Sequence, residues 1–364
     1  MTRSETFNFS AGPSVLPEEV LRQAQAELLN YHGTGMSVME MSHRSQAFSD
    51  IFQDVKARFR AALSVPDTHE ILFLQGGGTA QFSMIPLNLM GEQGTADYAV
   101  TGHFSGNAAK EAEKYGAVHI AADTSTCGHT RIPQQSELRL DARASYFYYC
   151  ANNTIYGTEY HEDLVSPVPL IADMSSDILS RPVDVTKYAM IYGGAQKNLA
   201  PAGVAFAIIR EDMLDKIVRD LPTMVSFRTH VENGSMFNTP PVFPIYVLKE
   251  TLKWLKSIGG IPEIYRRNQA KAALLYDEID RNPLFRGTVD KEDRSLMNIC
   301  FVMADGYEEL APEFMEAAKS RGIVGIKGHR LVGGFRASCY NALPVESVRV
   351  LVECMQEFAA KHAK

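Results

Sequence analysis

Two charged side chains, Asp173 and Lys197, each follow an apolar run of the sequence, residues 169–172 and 188–194 respectively. Each run is typical of a buried strand, so both side chains should emerge at strand ends, where open α/β sheets bind their ligands. A lysine there could form a Schiff base with an aldehyde cofactor, and a carboxylate could keep the nitrogen of a pyridine ring protonated. The pair therefore indicates an enzyme that uses pyridoxal 5'-phosphate.

Neither side chain supports this hypothesis alone. A single lysine is more often a surface residue, and an aspartate in the place of Asp173 is more often a helix cap for residues 174–176. Thr154 follows a third apolar run and could contact the cofactor ring, although a simple loop turn is a strong alternative there. The combined placement, with a glycine-rich turn upstream, is what favours the cofactor.

That turn, residues 75–79, follows an apolar run and precedes a segment with helical periodicity. Glycines allow close approach of the backbone, and a helix N-terminus favours an anion, so this turn could hold a phosphate. The segment lacks the GK[ST] of a P-loop, and Gln81 stands where GxGxxG needs its third glycine. A tight turn without a ligand is at least as good an interpretation.

Two clusters of basic side chains could bind acidic groups. His43 and Arg44 precede a predicted helix, whereas His329, Arg330 and Arg336 surround a Gly-Gly turn. The fork of an arginine binds a carboxylate or phosphate through two parallel charge-assisted hydrogen bonds. Any one of these arginines could instead be a solvated surface residue, but three arginines and two histidines in two such loops favour a role for at least some of them in binding acidic groups.

Short apolar runs that alternate with amphipathic stretches predict the elements that position these residues. The pattern is typical of an α/β fold with a mostly parallel sheet. The Gly-Gly pair at 259–260 is the best boundary between domains. Beyond it we predict a smaller α+β domain, which consists of a helix at 263–279, a strand at 296–302, a helix at 307–320, a strand near 333–337 and a terminal helix from 344. We predict a large cofactor-binding domain at 16–258 and a small domain at 259–364, joined by the N-terminal segment 1–15.

Composition excludes several classes of function. The chain has 364 residues, of which 45% are hydrophobic, and a formal net charge of −7, so we expect neither a nucleic-acid nor a membrane surface. Its five cysteines form no CxxC pair and no zinc-ligand pattern, which predicts a reducing cytoplasm and no metal. Cys339 lies near the second basic cluster, but a small buried cysteine is a far better interpretation than a nucleophile.

Motifs in the same order along nearly the whole chain resemble those of the phosphoserine aminotransferase family, within the class V, fold-type I enzymes. They are NFSAGP at 8–13, HR at 43–44, GGGTAQF at 76–82, NNTIYG at 152–157, ADMSSD at 172–177, GAQKN at 194–198, NTPP at 238–241 and GHRLVGGFRAS at 328–338. The last motif separates this family from other class V enzymes. The resemblance implies a cytosolic homodimer with pyridoxal 5'-phosphate in two sites at the subunit interface.

The resemblance also implies a role for each candidate. Lys197 would bind the cofactor covalently and move the proton, Asp173 would pair with the ring nitrogen, and Arg336 would bind the substrate α-carboxylate. The residues implied to contact the cofactor phosphate or ring are Gly78, Thr79, Phe104, Thr154, Gln196 and, from the neighbouring chain, Asn238 and Thr239. Those implied to receive the distal anion are His43 and Arg44 from the partner chain, together with His329 and Arg330.

The implied reaction transfers the amino group between L-glutamate and 3-phosphohydroxypyruvate, giving O-phospho-L-serine and 2-oxoglutarate in serine biosynthesis. Use of the longer phosphorylated keto acid of pyridoxal phosphate biosynthesis stays open, and the alternatives are a serine–glyoxylate type of class V aminotransferase or a catalytically silent relative. One departure from the family is Phe104, which stands where a tryptophan commonly stacks on the cofactor. Phenylalanine can still stack, with less ring area.

Overall fold

The structure is a computed structural model that describes residues 2–362. Its strands are β1 (Phe7–Asn8), β2 (His69–Leu74), β3 (Thr95–Val100), β4 (Ala117–Asp123), β5 (Phe147–Cys150), β6 (Leu170–Asp173), β7 (Met190–Gly194), β8 (Ala205–Arg210), β9 (Phe285–Gly287), β10 (Asn298–Met303), β11 (Ile323–Val324) and β12 (Phe335–Ser338). Its α-helices are α1 (Glu18–Glu27), α2 (Gln46–Leu63), α3 (Gly77–Leu89), α4 (His103–Ala112), α5 (Phe227–Glu232), α6 (Val242–Ser257), α7 (Gly260–Arg281), α8 (Ala311–Ser320) and α9 (Val345–His362).

The largest sheet has the strand order β2-β8-β7-β6-β5-β3-β4. Strand β8 is antiparallel to both of its neighbours, whereas the pairs from β7 across to β4 are parallel. Parallel neighbours need long crossovers, and helix α4 lies in the connection between β3 and β4. The α/β class with a mostly parallel sheet, predicted from the alternation of apolar runs, is confirmed.

Both faces of this sheet are buried at its inner strands, as strand β8 illustrates, whereas the edge strand β4 is largely exposed. Phe206 and Ile208 join a hydrophobic cluster with helices α2 and α6, whereas Ala205, Ala207 and Ile209 join a second cluster with helices α3 and α4. Successive side chains of a strand point to opposite faces, so a sheet covered on both sides needs apolar residues at every position. This explains why the strands were recognisable as continuous apolar runs.

The strand directions bring the ends of four strands to one edge of the sheet. Strands β5, β6 and β7 are mutually parallel and end at Cys150, Asp173 and Gly194. Because β8 is antiparallel to both β7 and β2, strand β2 runs in the same direction as β7, and helix α3 starts at this edge as well. Asp173, the segment after β7 and the N-terminus of α3 therefore meet.

The C-terminal part of the chain has a core of its own. Strand β10 lies between β12 and β9 in an antiparallel sheet, and helices α7, α8 and α9 share a hydrophobic cluster with it. Phe9 joins this cluster, and β1 pairs in parallel with β11, so the N-terminal segment packs on the C-terminal part. The predicted boundary at 258/259 falls between α6 and α7, and the domain limits remain a prediction.

Two predicted C-terminal elements have different limits in the structure. The helix predicted at 307–320 begins as an α-helix only at Ala311, because residues Glu308–Leu310 before it form a 3₁₀ helix. The strand predicted at 296–302 begins at Asn298 and ends at Met303. No helix among residues 2–362 has the length and apolar character that a membrane span requires.

Candidate active site

A cavity of about 240 Å³ lies at the edge where strands β5, β6 and β7 end. Strand β12 and the N-terminal segment contribute to its wall. It brings together nine of the residues predicted from the sequence. They are Gly78, Thr79, Phe104, Thr154, Asp173, Gln196, Lys197, His329 and Arg336.

The carboxylate of Asp173 is held in one orientation. Its Oδ1 accepts hydrogen bonds from the backbone N of Ser175 at 2.9 Å and from the hydroxyl of Ser175 at 2.6 Å. Its Oδ2 accepts one from the hydroxyl of Tyr192 at 3.1 Å, and Tyr192 Oη also contacts Tyr148 Oη at 2.8 Å. Burial raises the pKa of Tyr192 well above its usual value, so this donor keeps its proton. The site is built around an oriented carboxylate.

Lys197 lies three residues beyond the end of β7 and lines the same cavity. Its Nζ donates a hydrogen bond to Thr154 Oγ1 at 2.7 Å and lies 5.7 Å from the centre of the Phe104 ring. Burial lowers the pKa of Lys197, and the nearby negative charge of Asp173 opposes part of that shift. A lowered pKa increases the fraction of neutral amine, which is the nucleophilic and proton-accepting form.

The glycine turn delivers the N-terminus of α3 to the cavity. Gly76 and Gly77 have φ values of +87° and +62°, in the left-handed region that favours glycine. A Cβ added to Gly78 would lie 3.2 Å from Ser175 Oγ, so the turn packs directly on the segment that holds Asp173. The first N–H groups of a helix have no intrahelical acceptor, and these suit an anion such as a phosphate.

Arg336 reaches the cavity from the C-terminal part of the chain. Its Nη1 donates to the backbone oxygen of Thr154 at 3.2 Å, and its Nε is buried without a hydrogen-bond partner among residues 2–362. A buried donor without a partner is costly, so this atom is suited to an anionic ligand. Burial and the positive charge of Arg336 lower the pKa of His329, whose imidazole also lies 6.4 Å from that of His103.

The N-terminal segment contributes to the site in a way that sequence reasoning missed. The backbone N of Ser14 donates to the backbone oxygen of Gln196 at 3.0 Å, and its hydroxyl donates to that of Lys197. Gly12 has φ +143°, and a Cβ there would lie 3.4 Å from Cγ of Lys197. The NFSAGP motif was the available signal, but nothing in its spacing indicated a contact with residues so distant in the chain. Ser175 and Tyr192 were missed as well.

The remaining predicted residues do not line this cavity. Arg44, Thr239 and Arg330 are exposed, and His43 and Asn238 are half-buried. Asn238 lies on a separate small cavity, and Gln75 donates to the backbone oxygen of Thr239 at 2.6 Å. We call these five residues, His43, Arg44, Asn238, Thr239 and Arg330, the outer set.

The cysteines near the site are poor nucleophiles. Cys150 lines the cavity, but burial raises its pKa well above the usual value and the charge of Asp173 adds to the shift. Cys339 is fully buried outside the cavity lining, and burial raises its pKa to about 12. The interpretation of Cys339 as a small buried residue is therefore supported over a role as a thiolate.

The family described as aminotransferase class-V matches residues 6–351 of the chain. Among curated relatives, the phosphoserine aminotransferase of Phocaeicola vulgatus is 53% identical over 356 residues, which cover 98% of this chain and 99% of that protein. The structure is also similar to solved phosphoserine aminotransferases. That of Bacillus circulans subsp. alkalophilus gives a TM-score of 0.95 at 45% identity, with 98% of this chain and 99% of that chain covered.

A further solved structure of a phosphoserine aminotransferase contains the cofactor. The phosphoserine aminotransferase of Trichomonas vaginalis, described as bound to pyridoxal phosphate, gives a TM-score of 0.92 at 39% identity and covers 96% of this chain and 99% of that chain. The predicted fold, that of the fold-type I transferases, is confirmed by these neighbours.

Proposed function

The chain belongs to the class-V aminotransferases, within the phosphoserine aminotransferase family, and from this premise we propose that it transfers the amino group between L-glutamate and 3-phosphohydroxypyruvate. The products are O-phospho-L-serine and 2-oxoglutarate, in the cytoplasmic pathway of serine biosynthesis. The observation that carries the proposal is the meeting of Lys197, Asp173 and Arg336 on one cavity. A reactive amine, an oriented carboxylate and an unpaired cationic donor are the groups that amino transfer between acids needs.

The residues of the cavity fit pyridoxal 5'-phosphate. A Cβ at Gly78 would crowd Ser175 Oγ at 3.2 Å, and the N-terminus of α3, which starts at this turn on the cavity, suits a phosphate. We propose that Gly78, Thr79 and Gln196 hold the phosphate, that Asp173 pairs with the ring nitrogen, and that Phe104 and Thr154 contact the ring. When bound, the cofactor supplies an aldehyde for the amino group and a ring that takes up electrons.

Lys197 would hold and move the proton of the reaction at its Nζ. Because burial lowers its pKa, the amine can lose a proton near neutral pH more readily than a surface lysine does. The hydrogen bond to Thr154 Oγ1 orients Nζ, and packing by Gly12 and Ser14 restricts the lysine stem and backbone. The amine is thus kept within reach of a substrate in the cavity.

Arg336 would bind the α-carboxylate that both substrates share. Its free Nε and its position opposite Lys197, with Thr154 between them, support this assignment. His329, whose lowered pKa leaves it neutral at pH 7, would donate a single hydrogen bond to the distal anion. The distal phosphate needs more positive charge than His329 gives, which the outer set would supply.

We propose a homodimer with shared sites, in which a partner chain brings its His43, Arg44, Asn238 and Thr239 to the cavity. Large apolar side chains next to the outer set are exposed, namely Met39 at 63%, Phe237 at 44% and Leu331 at 52%. Exposed apolar groups that accompany polar binding residues are typical of an interface. Sedimentation of the purified protein tests the dimer independently of its activity.

The test of the activity is the half-reaction of the holoenzyme with L-glutamate, followed through the absorption of the bound cofactor. We expect glutamate to change the spectrum and 3-phosphohydroxypyruvate to restore it. A silent relative would give no change, whereas a serine–glyoxylate enzyme would respond to serine and glyoxylate and not to the phosphorylated keto acid. Adding the longer phosphorylated keto acid as a third acceptor defines the breadth of the site.

A further inference from the structure

Asn298 connects separate parts of the chain through one buried amide group. Its Nδ2 donates to Ser338 Oγ at 3.0 Å and to Tyr340 Oη at 3.2 Å, and its Oδ1 accepts from Asn152 Nδ2 at 2.8 Å. The residue is fully buried, with 0% exposure. Both N–H groups and the carbonyl of the amide are in use, so the side chain has one defined orientation.

One side of this amide contacts the cavity wall. Asn152 lines the cavity, and its Nδ2 also donates to Ser176 Oγ at 2.8 Å, where Ser176 is another lining residue. The Oδ1 of Asn152 accepts from Ser295 Oγ at 2.6 Å, so this amide is oriented as well. Ser176 belongs to the turn that follows Asp173. Asn298 is therefore linked to the part of the site that carries Asp173.

The other side contacts the strand that carries Arg336. In the antiparallel pair of β10 and β12, Asn298 lies opposite Ser338 and Cys300 lies opposite Arg336. Ser338 and Arg336 are two residues apart on β12 and point to the same face of the strand. Tyr340 Oη in turn donates to the backbone oxygen of Ala11 at 2.8 Å, and Ala11 lines the cavity.

We propose that Asn298 is a positioning residue that holds strand β12, and with it Arg336, against the part of the cavity wall that follows Asp173, and that it thereby sets the affinity for the substrate α-carboxylate. The proposal rests on the assignment of Arg336 under the proposed function. Within residues 2–362 the guanidinium of Arg336 donates only to the backbone oxygen of Thr154, at 3.2 Å. Its place in the cavity therefore depends on where β12 lies, and the amide of Asn298 ties β12 to the cavity wall.

A buried asparagine elsewhere provides the matched control. Asn268 on α7 also has 0% exposure, and its Nδ2 donates to Asn341 Oδ1 at 2.9 Å and to the backbone oxygen of Ser180 at 3.1 Å. None of these three residues lines the cavity. A change of Asn268 tests the general cost of losing a buried amide, without the link to Arg336.

The experiment compares Asn298→Leu with Asn268→Leu in the holoenzyme, because leucine keeps the branching of the side-chain heavy atoms and removes the hydrogen bonds, and any overpacking by its larger volume affects both variants. For Asn298→Leu we expect the KM values for glutamate and phosphoserine to rise by the same factor, about tenfold, with kcat within about threefold of wild type. Asn268→Leu should lower the unfolding temperature to a similar extent and leave both KM values unchanged. Hydrogen exchange of the peptide that spans 335–340 should become faster in Asn298→Leu alone.

Unchanged KM values in a folded Asn298→Leu enzyme, or a fall in kcat alone, would overturn the proposal. If that variant does not fold, Ser338→Ala removes one acceptor of the same amide and should raise both KM values about threefold; unchanged values there would overturn it equally. Failure of the proposed function can be told apart from failure of this inference. It would appear already in the wild-type enzyme, as a lack of amino transfer between glutamate and the phosphorylated keto acid.

Discussion

The cavity and the outer set differ in how far a single chain completes them. In the cavity, Asp173 has three hydrogen bonds from its own chain, and Lys197 Nζ is fixed by Thr154 at 2.7 Å. In the outer set, Arg44 and Arg330 are exposed and have no salt bridge within the described part of the chain. A single chain therefore fixes the groups proposed for the chemistry, whereas of those proposed for the distal anion only His329 lines the cavity.

Under the proposed function, this difference separates the residues that act on the cofactor from those that select the substrate. Moving a proton beside a cofactor needs groups fixed within a fraction of an ångström, and a single folded chain supplies that through a buried network. Recognition of a phosphate can instead be built from flexible cationic side chains brought together by a second copy.

Replacing Lys197 should have the largest effect. We expect Lys197→Ala to lower kcat by at least about 10³-fold, because it removes the group that holds the cofactor and moves the proton. The measurement is the rate of amino transfer under saturating substrates, and Lys187→Ala, at an exposed lysine, is the control. Borohydride reduction and peptide mapping should place the bound cofactor on Lys197, and an adduct on another lysine would contradict the assignment.

The two arginines of the GHRLVGGFRAS motif should differ in selectivity. We expect Arg336→Ala to lower kcat/KM for glutamate and phosphoserine alike, by about 10²-fold, because it removes a charge-assisted pair with the shared α-carboxylate. Arg330→Ala should affect phosphoserine about tenfold more than glutamate, since a phosphate dianion gains more from each such contact. Arg349→Ala, at an exposed position on α9, is the control. Equal losses for both substrates in Arg330→Ala would remove it from the distal site.

Subunit mixing tests whether the outer set acts across the interface. Lys197→Ala and Arg44→Ala homodimers should each be nearly inactive, whereas a heterodimer of the two has one pocket with both defects and one with neither. We expect purified heterodimers to regain up to about half of wild-type activity, because one of two sites is complete. If Arg44 and Lys197 served the same chain's pocket, each pocket would keep one defect and no activity would return.

The sequence predicted the residues of the cavity better than the residues around them, because the patterns that mark a strand end lie within one short segment of the chain. Asp173 and Lys197 could be placed because apolar runs mark buried parallel strands and the carboxyl ends of such strands share an edge. The contacts of Ser14 with Gln196 and Lys197 could not be predicted, since they join segments far apart in the chain and leave no periodic signal. Hydrogen-bonding partners such as Tyr192 lie inside apolar runs, where their hydroxyl groups are indistinguishable from core aromatics.

Most of the outer set was harder to predict, for a related reason. The residues themselves indicated only that His43, Arg44 and Arg330 could bind acidic groups, whereas Asn238, Thr239 and the contribution of a partner chain came from the resemblance. A His-Arg pair in a loop has the same local pattern whether it binds a substrate or water, and the partner that would complete it is another molecule. Asn298 was not predicted as a site residue either, because its three contacts depend on the register of β10 and β12 and on the loop after β5. Such contacts are decided by tertiary packing and cannot be derived from spacing along one segment.

The smallest expected effect concerns the ring of Phe104, which lines the cavity where the family commonly has tryptophan. Phe104→Trp would add aromatic area on the cofactor, and an increment of about 0.5 kcal/mol predicts roughly twofold tighter binding of pyridoxal 5'-phosphate, measured by fluorescence titration of the apoenzyme. Phe104→Leu should weaken binding severalfold, because it removes the ring and keeps the apolar contact.

Neither change should alter the ratio of kcat/KM for phosphoserine to that for glutamate, because the ring contacts neither anion of the substrates. We propose that the residues of the cavity determine the affinity for the cofactor and that the outer set determines the choice of substrate. Weaker binding in Phe104→Trp would mean that the neighbouring His103 ring, 5.6 Å away, leaves no space for an indole and that phenylalanine is fitted to this cavity. A change in selectivity would instead mean that the two regions are coupled through α4, and the division of labour proposed for them would be wrong.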